Sequence, residues 1–262
     1  MSKPREFVSF GIDDDRIALV TVDRPPVNAL NRQLEDELDS VFEELAGLQE
    51  VGAVVVTGGG EKAFIAGADI KMLSEKAPED ATEMSAATQR VLLKIERFDR
   101  VVIAAINGLA LGGGCEVAMA CDMRVMDESA IIGLPEVSLG ILPGAGGTQR
   151  LARLVGMGKA KELILTGDPI GADEAKRIGL VERTAPKGEA VAQARDLAKR
   201  VLSRGPLAVI NAKKAINEGL DMPLEEGLKR ESQLFGALFR TQDMREGVSA
   251  FLEKRKPKFT GR

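Results

Sequence analysis

The chain has 262 residues, of which 44% are hydrophobic and 29% are charged, and its formal net charge is -4 at pH 7. These values are typical of a globular protein with a sizeable core, and the acidic charge argues against a nucleic acid or an anionic membrane as partner. The sequence contains no His, Trp or Tyr. Catalysis by an imidazole base and a histidine-ligated metal site are therefore excluded, and Asp, Glu, Lys and Cys remain for proton transfer.

Cysteine content and hydropathy indicate the compartment. Cys115 and Cys121 lie in one apolar segment and provide neither a disulfide framework nor a cysteine-rich metal site. No apolar run reaches the roughly 18 residues of a membrane-spanning helix, and the polar N-terminal residues lack the apolar segment of a signal peptide. We therefore expect a cytoplasmic protein without a metal and without a membrane partner.

Strand-like and helix-like segments alternate in the first half of the chain. Runs of β-forming residues at 16–23, 51–57 and 101–106 are separated by long helical patterns. Within residues 31–48 the apolar side chains recur at helical spacing, and Asn31 is placed to cap this helix. The alternation predicts an α/β fold with parallel strands.

The first segment with unusual chemistry is residues 63–72, AFIAGADIKM. Ala66, Gly67 and Ala68 are small enough to let another molecule approach the backbone closely, and a helix is expected to begin at Ala68 or Asp69. Unpaired amides at the start of a helix form a site for an anion or an oxyanion. The alternative is an ordinary capped loop.

The second segment is residues 106–122, INGLALGGGCEVAMACD. Gly112, Gly113 and Gly114 precede a predicted helix, although each glycine weakens a helix by about 1 kcal/mol. A backbone amide that must face a ligand would explain them. Glu116 falls in the first turn among apolar neighbours, so we expect a half-buried, functional carboxylate. The alternative is a glutamate that only complements the helix dipole.

The third segment is residues 131–150, IIGLPEVSLGILPGAGGTQR. Glu136 is expected in a loop between apolar residues, and the glycines at 144–147 precede a predicted helix at Thr148. The alternative for Glu136 is a loop carboxylate that merely accepts hydrogen bonds from nearby amides. Neither glycine-rich stretch matches the dinucleotide or phosphate-loop pattern.

The C-terminal part of the chain shows only helical patterns from Lys159 onward. The predicted helices cover residues 159–166, 172–178, 189–203, 206–218, 223–239 and 243–254. We therefore expect an α/β catalytic core at residues 1–155 and an α-helical region at residues 156–262.

Together the three segments resemble the crotonase superfamily, and specifically the enoyl-CoA hydratases. The motifs AFIAGADIK, NGLALGGGCEVAMACD and GLPEVSLGILPGAGGTQRL occur in the family's order. The resemblance implies a spiral of β-β-α units and a C-terminal helical region that assembles trimers or dimers of trimers. It also implies reversible addition of water to a trans-2-enoyl-CoA, in fatty acid or related acyl-CoA metabolism, with coenzyme A as part of the substrate and no separate cofactor.

The resemblance also implies roles for single residues. Ala68 and Gly113 would provide the amides of an oxyanion hole. Glu116 and Glu136 would be the main base and the main acid, and Gly144 would help to hold the water. The residues that would contact the substrate or its coenzyme A part are Asn28, Ala29, Leu30, Ala66, Asp69, Ile70, Lys71, Phe251 and Lys254. The last two would reach the coenzyme A of a neighbouring subunit, although core packing and a solvated helix face would also explain them.

Other functions are compatible with parts of the pattern. An enoyl-CoA isomerase of the same fold needs one base, and its typical members lack the glutamate that matches Glu116. A 3-hydroxyacyl-CoA dehydratase would use the same residues in the reverse direction. RNA binding would require a basic helix with an aromatic platform, whereas aromatic residues make up 3% of this chain. The presence of both glutamates favours hydration and argues against an inactive scaffold.

Overall fold

The computed structural model describes residues 4–74 and 77–262. The strands are β1 (Val8–Ile12), β2 (Ile17–Val22), β3 (Ala53–Gly58), β4 (Ala63–Ala66), β5 (Val101–Ile106), β6 (Leu109–Leu111), β7 (Met123–Asp127), β8 (Ile131–Gly133), β9 (Ile170–Gly171) and β10 (Arg183–Ala185). The helices are α1 (Arg32–Gly47), α2 (Ile70–Ser74), α3 (Pro78–Glu96), α4 (Gly113–Ala120), α5 (Gly147–Val155), α6 (Met157–Thr166), α7 (Ala172–Arg177), α8 (Ala190–Leu202), α9 (Pro206–Gly219), α10 (Leu224–Leu238) and α11 (Gln242–Leu252). A 3-10 helix (Pro135–Leu139) follows β8.

The larger sheet has the strand order β1-β2-β3-β5-β7-β10. β1 pairs antiparallel with β2, and every other neighbouring pair in this sheet is parallel. Parallel neighbours need long crossover connections, which contain α1, α3, α4 and, between β7 and β10, the helices α5 to α7. The predicted α/β fold with parallel strands is confirmed.

Both faces of this sheet are covered. Val54 and Val56 of β3 belong to the main apolar core, whereas Ala53 and Val55 belong to a second cluster together with α8. Successive side chains of a strand point to opposite faces, so β3 is buried on both sides and carries no polar face.

The first helix confirms its sequence pattern. The side chain of Asn31 accepts a hydrogen bond of 2.9 Å from the amide of Leu34, which is the predicted N-cap. Five of the six apolar side chains predicted at helical spacing are buried, namely Leu34, Leu38, Val41, Phe42 and Leu45, whereas Leu48 follows the helix and is half-buried. This helix therefore covers one face of the sheet and fixes the loop before it.

The smaller sheet has the strand order β4-β6-β8-β9, in which the first three strands are parallel. The last residues of these three strands are in register, with Ala66 opposite Leu111 and Leu111 opposite Gly133. The carboxyl ends of three parallel strands therefore lie at one edge of this sheet.

Two short strands interrupt the part of the chain that was predicted to be helical throughout. β9 pairs antiparallel with β8, and β10 pairs parallel with β7. The prediction of only helices after Lys159 is wrong at these places, because strands of two or three residues are too short to show an alternating pattern. The division of the chain at residue 155 stays a prediction, although residues beyond it add a strand to each sheet.

The last three helices expose much apolar surface. The large exposed hydrophobic side chains on these helices and at their C-caps are Ile216, Leu220, Leu224, Leu228, Phe235, Phe239, Val248, Phe251 and Leu252. α9 packs against α10, and neither helix has a buried residue. Across residues 4–74 and 77–262, every helix is too short or too polar to cross a membrane.

Candidate active site

The three segments singled out in the sequence meet at the edge of the smaller sheet. β4 is followed by Gly67, β6 by Gly112, and β8 by the 3-10 helix that contains Glu136. A Cβ atom added to Gly112 would lie 3.1 Å from Oε1 of Glu136 and 3.5 Å from Cα of Gly67. Gly112 therefore lies between the other two segments, and its φ of +52° also favours glycine.

The amide of Ala68 is unpaired for a different reason from the one predicted. The helix begins at Ile70 rather than at Ala68 or Asp69, so Ala68 is not a helix-start residue. Instead it forms a single parallel bridge with Leu30, which uses the carbonyl of Gly67 and the amide of Asp69. In a parallel bridge the amide of the paired residue itself points away. The Ala68 amide donates to no acceptor in the part of the chain that the structure describes.

The second unpaired amide belongs to Gly113, the first residue of α4. The first amides of a helix have no intrahelical acceptor. Close packing explains the neighbouring glycines as well, because a Cβ at Gly113 would lie 2.6 Å from Cδ1 of Leu30 and one at Gly114 would lie 1.8 Å from the carbonyl oxygen of Ile65. The glycine run therefore brings the start of α4 against the loop that carries Ala68.

Glu116 is almost fully buried in the first turn of α4, with 2% of its surface exposed. Its Oε1 accepts hydrogen bonds of 2.7 Å from the amides of Ala145 and Gly147. Burial raises the pKa of Glu116, and these two amides and the charge of Arg150 oppose that rise. The carboxylate form is thus the one that its hydrogen bonds stabilise.

Glu136 has the opposite environment. It lies in the 3-10 helix, where the sequence predicted a loop, and it is half-buried. Its Oε2 is buried and has no hydrogen-bond partner within the described residues. Burial raises the pKa of Glu136 to about 7, and the charge of Glu116 adds to the rise. The protonated form of this carboxyl is therefore well populated near neutral pH.

Three further side chains fix the loop that binds Glu116, and the sequence reasoning missed them. Ser85 and Gln89 of α3 donate to the carbonyl of Gly144, at 2.6 and 2.9 Å. Arg150 donates to the carbonyl of Ala145 at 3.0 Å. Ser85 and Gln89 are four residues apart, which places them on the same face of a helix. This spacing was the signal that the sequence offered for them. The expected role of Gly144 in holding water stays a prediction, and its carbonyl already has these two donors.

The loop before α1 approaches the same edge. The side chain of Asn28 is buried, and its Nδ2 donates to the carbonyls of Ala63 and Phe64 at 3.0 and 3.2 Å. Only the backbone of Asn28 is therefore available to a ligand. Ala29 is half-buried, and Leu30 is buried with 3% of its surface exposed.

The remaining predicted contact residues lie around α2 and α11. Arg24 joins the two loops, because it donates to the carbonyl of Ala29 and to Oδ2 of Asp69, at 2.8 Å in each case. Ala66 is half-buried, whereas Ile70 and Lys71 are exposed. Phe251 is 83% exposed, which rules out core packing for it within one chain, and Lys254 is exposed as well.

The described residues contain no group of three or more Cys, Asp or Glu side chains arranged to bind a metal ion. The chemistry of the edge is instead that of two unpaired amides beside two carboxyl groups with different hydrogen-bond partners. Such an arrangement can polarise a carbonyl oxygen and move protons at nearby carbon atoms.

Comparisons with known proteins all identify the same family. The family model described as enoyl-CoA hydratase/isomerase matches residues 13–262. A short-chain-enoyl-CoA hydratase of Clostridium acetobutylicum is 46% identical, over 93% of this chain and 94% of its own length. A crotonyl-CoA hydratase of Syntrophomonas wolfei is 45% identical, over 94% of this chain and 95% of its own length.

Solved structures agree with these relatives. The crystal structure of an enoyl-CoA hydratase from Bacillus anthracis superimposes with a TM-score of 0.94 at 41% identity, covering 98% of this chain and 100% of that chain. That of an enoyl-CoA hydratase from Polaromonas superimposes with a TM-score of 0.91 at 28% identity, covering 97% of this chain and 99% of that chain.

Proposed function

Because the chain belongs to the enoyl-CoA hydratase/isomerase family and has the α/β crotonase fold, we propose that it is an enoyl-CoA hydratase, an enzyme of the hydro-lyase class. It adds water across the C2=C3 double bond of a trans-2-enoyl-CoA and gives a 3-hydroxyacyl-CoA. The observation that carries this proposal is the pair Glu116 and Glu136 at one sheet edge, the first bound by two amides and the second with an unpaired buried oxygen.

The thioester oxygen of the substrate binds to the amides of Ala68 and Gly113. Both amides are unpaired in the described residues, and they lie on segments that follow neighbouring parallel strands. During addition of water to C3, negative charge develops on this oxygen as the thioester becomes enolate-like. An amide aimed at such a charge lowers the barrier by about 3 kcal/mol, as loss of comparable donors in other enzymes indicates.

Proton transfer is divided between the two glutamates. Glu116, whose hydrogen bonds favour the carboxylate, accepts a proton from the water that attacks C3. Glu136, whose protonated form is populated near neutrality, gives its proton to C2. The substrate thereby gains one hydroxyl group and one hydrogen atom, and a proton returned from Glu116 to Glu136 restores the starting state.

The alternatives are less well supported. An isomerase needs a single base, whereas this site contains two carboxyl groups. RNA binding has no support from the acidic net charge of -4. The relatives named short-chain-enoyl-CoA and crotonyl-CoA hydratase suggest crotonyl-CoA as the first substrate to test.

Heavy-oxygen water distinguishes hydration from isomerisation. With crotonyl-CoA, hydration places the heavy oxygen on C3 of the product, and mass spectrometry detects the heavier 3-hydroxyacyl-CoA. Isomerisation incorporates no oxygen from the solvent. The same assay is run with a 3-enoyl-CoA as substrate. If the enzyme converts only this substrate, and the product carries no label, the activity is that of an isomerase and not of a hydratase.

The proposal extends to assembly and location. The exposed apolar side chains of α9, α10 and α11 support a homo-oligomer, a trimer or a dimer of trimers, in which Phe251 and Lys254 contact the coenzyme A of a neighbouring subunit.

A cytoplasmic location is supported by two free, buried cysteines, which fit a reducing compartment. The reaction as written requires no cofactor besides the coenzyme A of the substrate.

A further inference from the structure

One peptide group beside Glu116 is hydrogen-bonded at both of its ends. The carbonyl of Gly144 and the amide of Ala145 belong to the same planar unit. The amide donates to Oε1 of Glu116 at 2.7 Å, and the carbonyl accepts from Ser85 at 2.6 Å and from Gln89 at 2.9 Å. The orientation of this peptide therefore depends on α3 on one side and on Glu116 on the other.

The second amide that binds Glu116 is fixed in a different way. It belongs to Gly147, and the carbonyl of the same peptide, that of Gly146, accepts from the amides of Gln149 and Arg150 at 3.1 and 2.9 Å. These are ordinary bonds of the first turn of α5. The start of the helix thus orients this donor without any side chain, in contrast to the amide of Ala145.

A tilt of the Gly144–Ala145 peptide would weaken the bond from the Ala145 amide to Glu116. Because residue 144 is a glycine, no Cβ atom restricts the backbone on that side of the peptide. A reversed peptide would turn the Gly144 carbonyl toward the carboxylate of Glu116, which is repulsive. Ser85 and Gln89 bind this carbonyl from one face of α3, and Gln89 also donates to Oγ of Ser85 at 3.2 Å. Both side chains therefore stabilise the orientation in which the Ala145 amide faces Glu116.

We propose that Ser85 and Gln89 are positioning residues of the reaction, which act on Glu116 through the Gly144–Ala145 peptide. The inference rests on the proposed function, because it takes Glu116 as the base. Neither residue needs to touch the substrate for this role. Their effect is on the rate of the proton transfer and not on the binding of the thioester oxygen, which the amides of Ala68 and Gly113 bind.

The test is a double variant, Ser85→Ala with Gln89→Leu, assayed beside the unmodified enzyme with crotonyl-CoA. We expect kcat to fall by about tenfold or more while KM changes by less than about twofold. The acid limb of the pH profile of kcat should move to higher pH, since Glu116 stays buried but loses a hydrogen bond that favours its charged form. The single variant Ser85→Thr keeps both the hydroxyl group and the native Gln89. It should retain most of the kcat of the unmodified enzyme.

Thr88→Val is the matched control. Thr88 lies on the same helix but donates to Oε1 of Glu35 at 2.8 Å, so its loss disturbs the packing of α3 on α1 and not the peptide. An unchanged acid limb in the double variant, or an equal fall of kcat in the control, would overturn the inference. Gln89 is exposed, so Gln89→Leu alone keeps the fold and gives the same test if the double variant is unstable. Turnover by the unmodified enzyme tests the proposed function separately.

Discussion

Glu116 and Glu136 face one site with opposite hydrogen-bond arrangements. One oxygen of Glu116 accepts two amides at 2.7 Å, whereas Oε2 of Glu136 is buried and has no partner in the described part of the chain. Two carboxyl groups in one site whose hydrogen-bond partners differ in this way are a suitable acid and base pair.

The hydration rate should fall as the pH rises through about 7. The raised pKa of Glu136, about 7, means that its proton is present below this pH and is lost above it. If this proton goes to C2, kcat/KM in the hydration direction decreases on the alkaline side. The measurement is the pH profile of crotonyl-CoA hydration, with Glu136→Gln as the variant in which this limb is absent. A profile that stays flat well above neutrality would show that Glu136 is not the acid.

Gly112→Ala should reduce both stability and turnover. Its φ of +52° would cost an alanine about 1–2 kcal/mol, and the new Cβ would lie 3.1 Å from Oε1 of Glu136. The control is Gly188→Ala, with a φ of +84° and no atom within 4 Å of the added Cβ. Urea unfolding should show a loss in both variants, and only Gly112→Ala should lose activity at a temperature where both are folded. Equal activity of the two would mean that the contact with Glu136 is unimportant.

Arg24→Gln should raise KM and lower kcat. Arg24 joins the carbonyl of Ala29 to Asp69, and these residues flank the Ala68 amide in space. Both bonds involve the charged guanidinium, and hydrogen bonds of an ionised group are stronger than those between neutral groups. Arg32→Gln is the control, because it breaks only an exposed pair with Asp36. Kinetics that are the same in both variants would argue against this loop as part of the substrate site.

Phe235→Glu should dissociate the proposed oligomer. Phe235 is 61% exposed in one chain, and its ring is tilted against that of Phe239 with the two centroids 5.1 Å apart. A buried interfacial charge would be costly, so mass photometry should show smaller species than for the unmodified protein. The control is Lys187→Gln, which lowers the net charge by the same amount at an exposed position. It should leave the assembly intact. An unchanged mass of the Phe235 variant would place the interface elsewhere.

Much of the fold and of the site was predictable because the signals were long or chemically unusual. The helix with its Asn31 cap has an apolar face several turns long. Glu116 was identifiable as a charge in an otherwise apolar helix, and the structure buries it more deeply than the half-buried position that was predicted. The glycines before it were attributed to an amide that faces a ligand, which stays a prediction, and close packing against Leu30 and Ile65 is a further reason for them.

The rest depended on contacts between distant parts of the chain. β9 and β10 are too short for periodicity and exist because neighbouring strands pair with them. The unpaired amide of Ala68 results from a bridge to Leu30, not from a helix start. Ser85 and Gln89 carry no motif, and only the folded loop brings the Gly144 carbonyl to them.

The central claim is that Glu116 and Glu136 together add water to an enoyl thioester. The most direct measurement is the loss of enoyl-thioester absorbance when the purified protein is given crotonyl-CoA, compared among the unmodified enzyme, Glu116→Gln and Glu136→Gln. We expect turnover by the unmodified enzyme and a fall of about a hundredfold or more in each variant, with circular dichroism unchanged. No turnover of any 2-enoyl-CoA by the unmodified enzyme, or a near-normal rate in either variant, would contradict the claim.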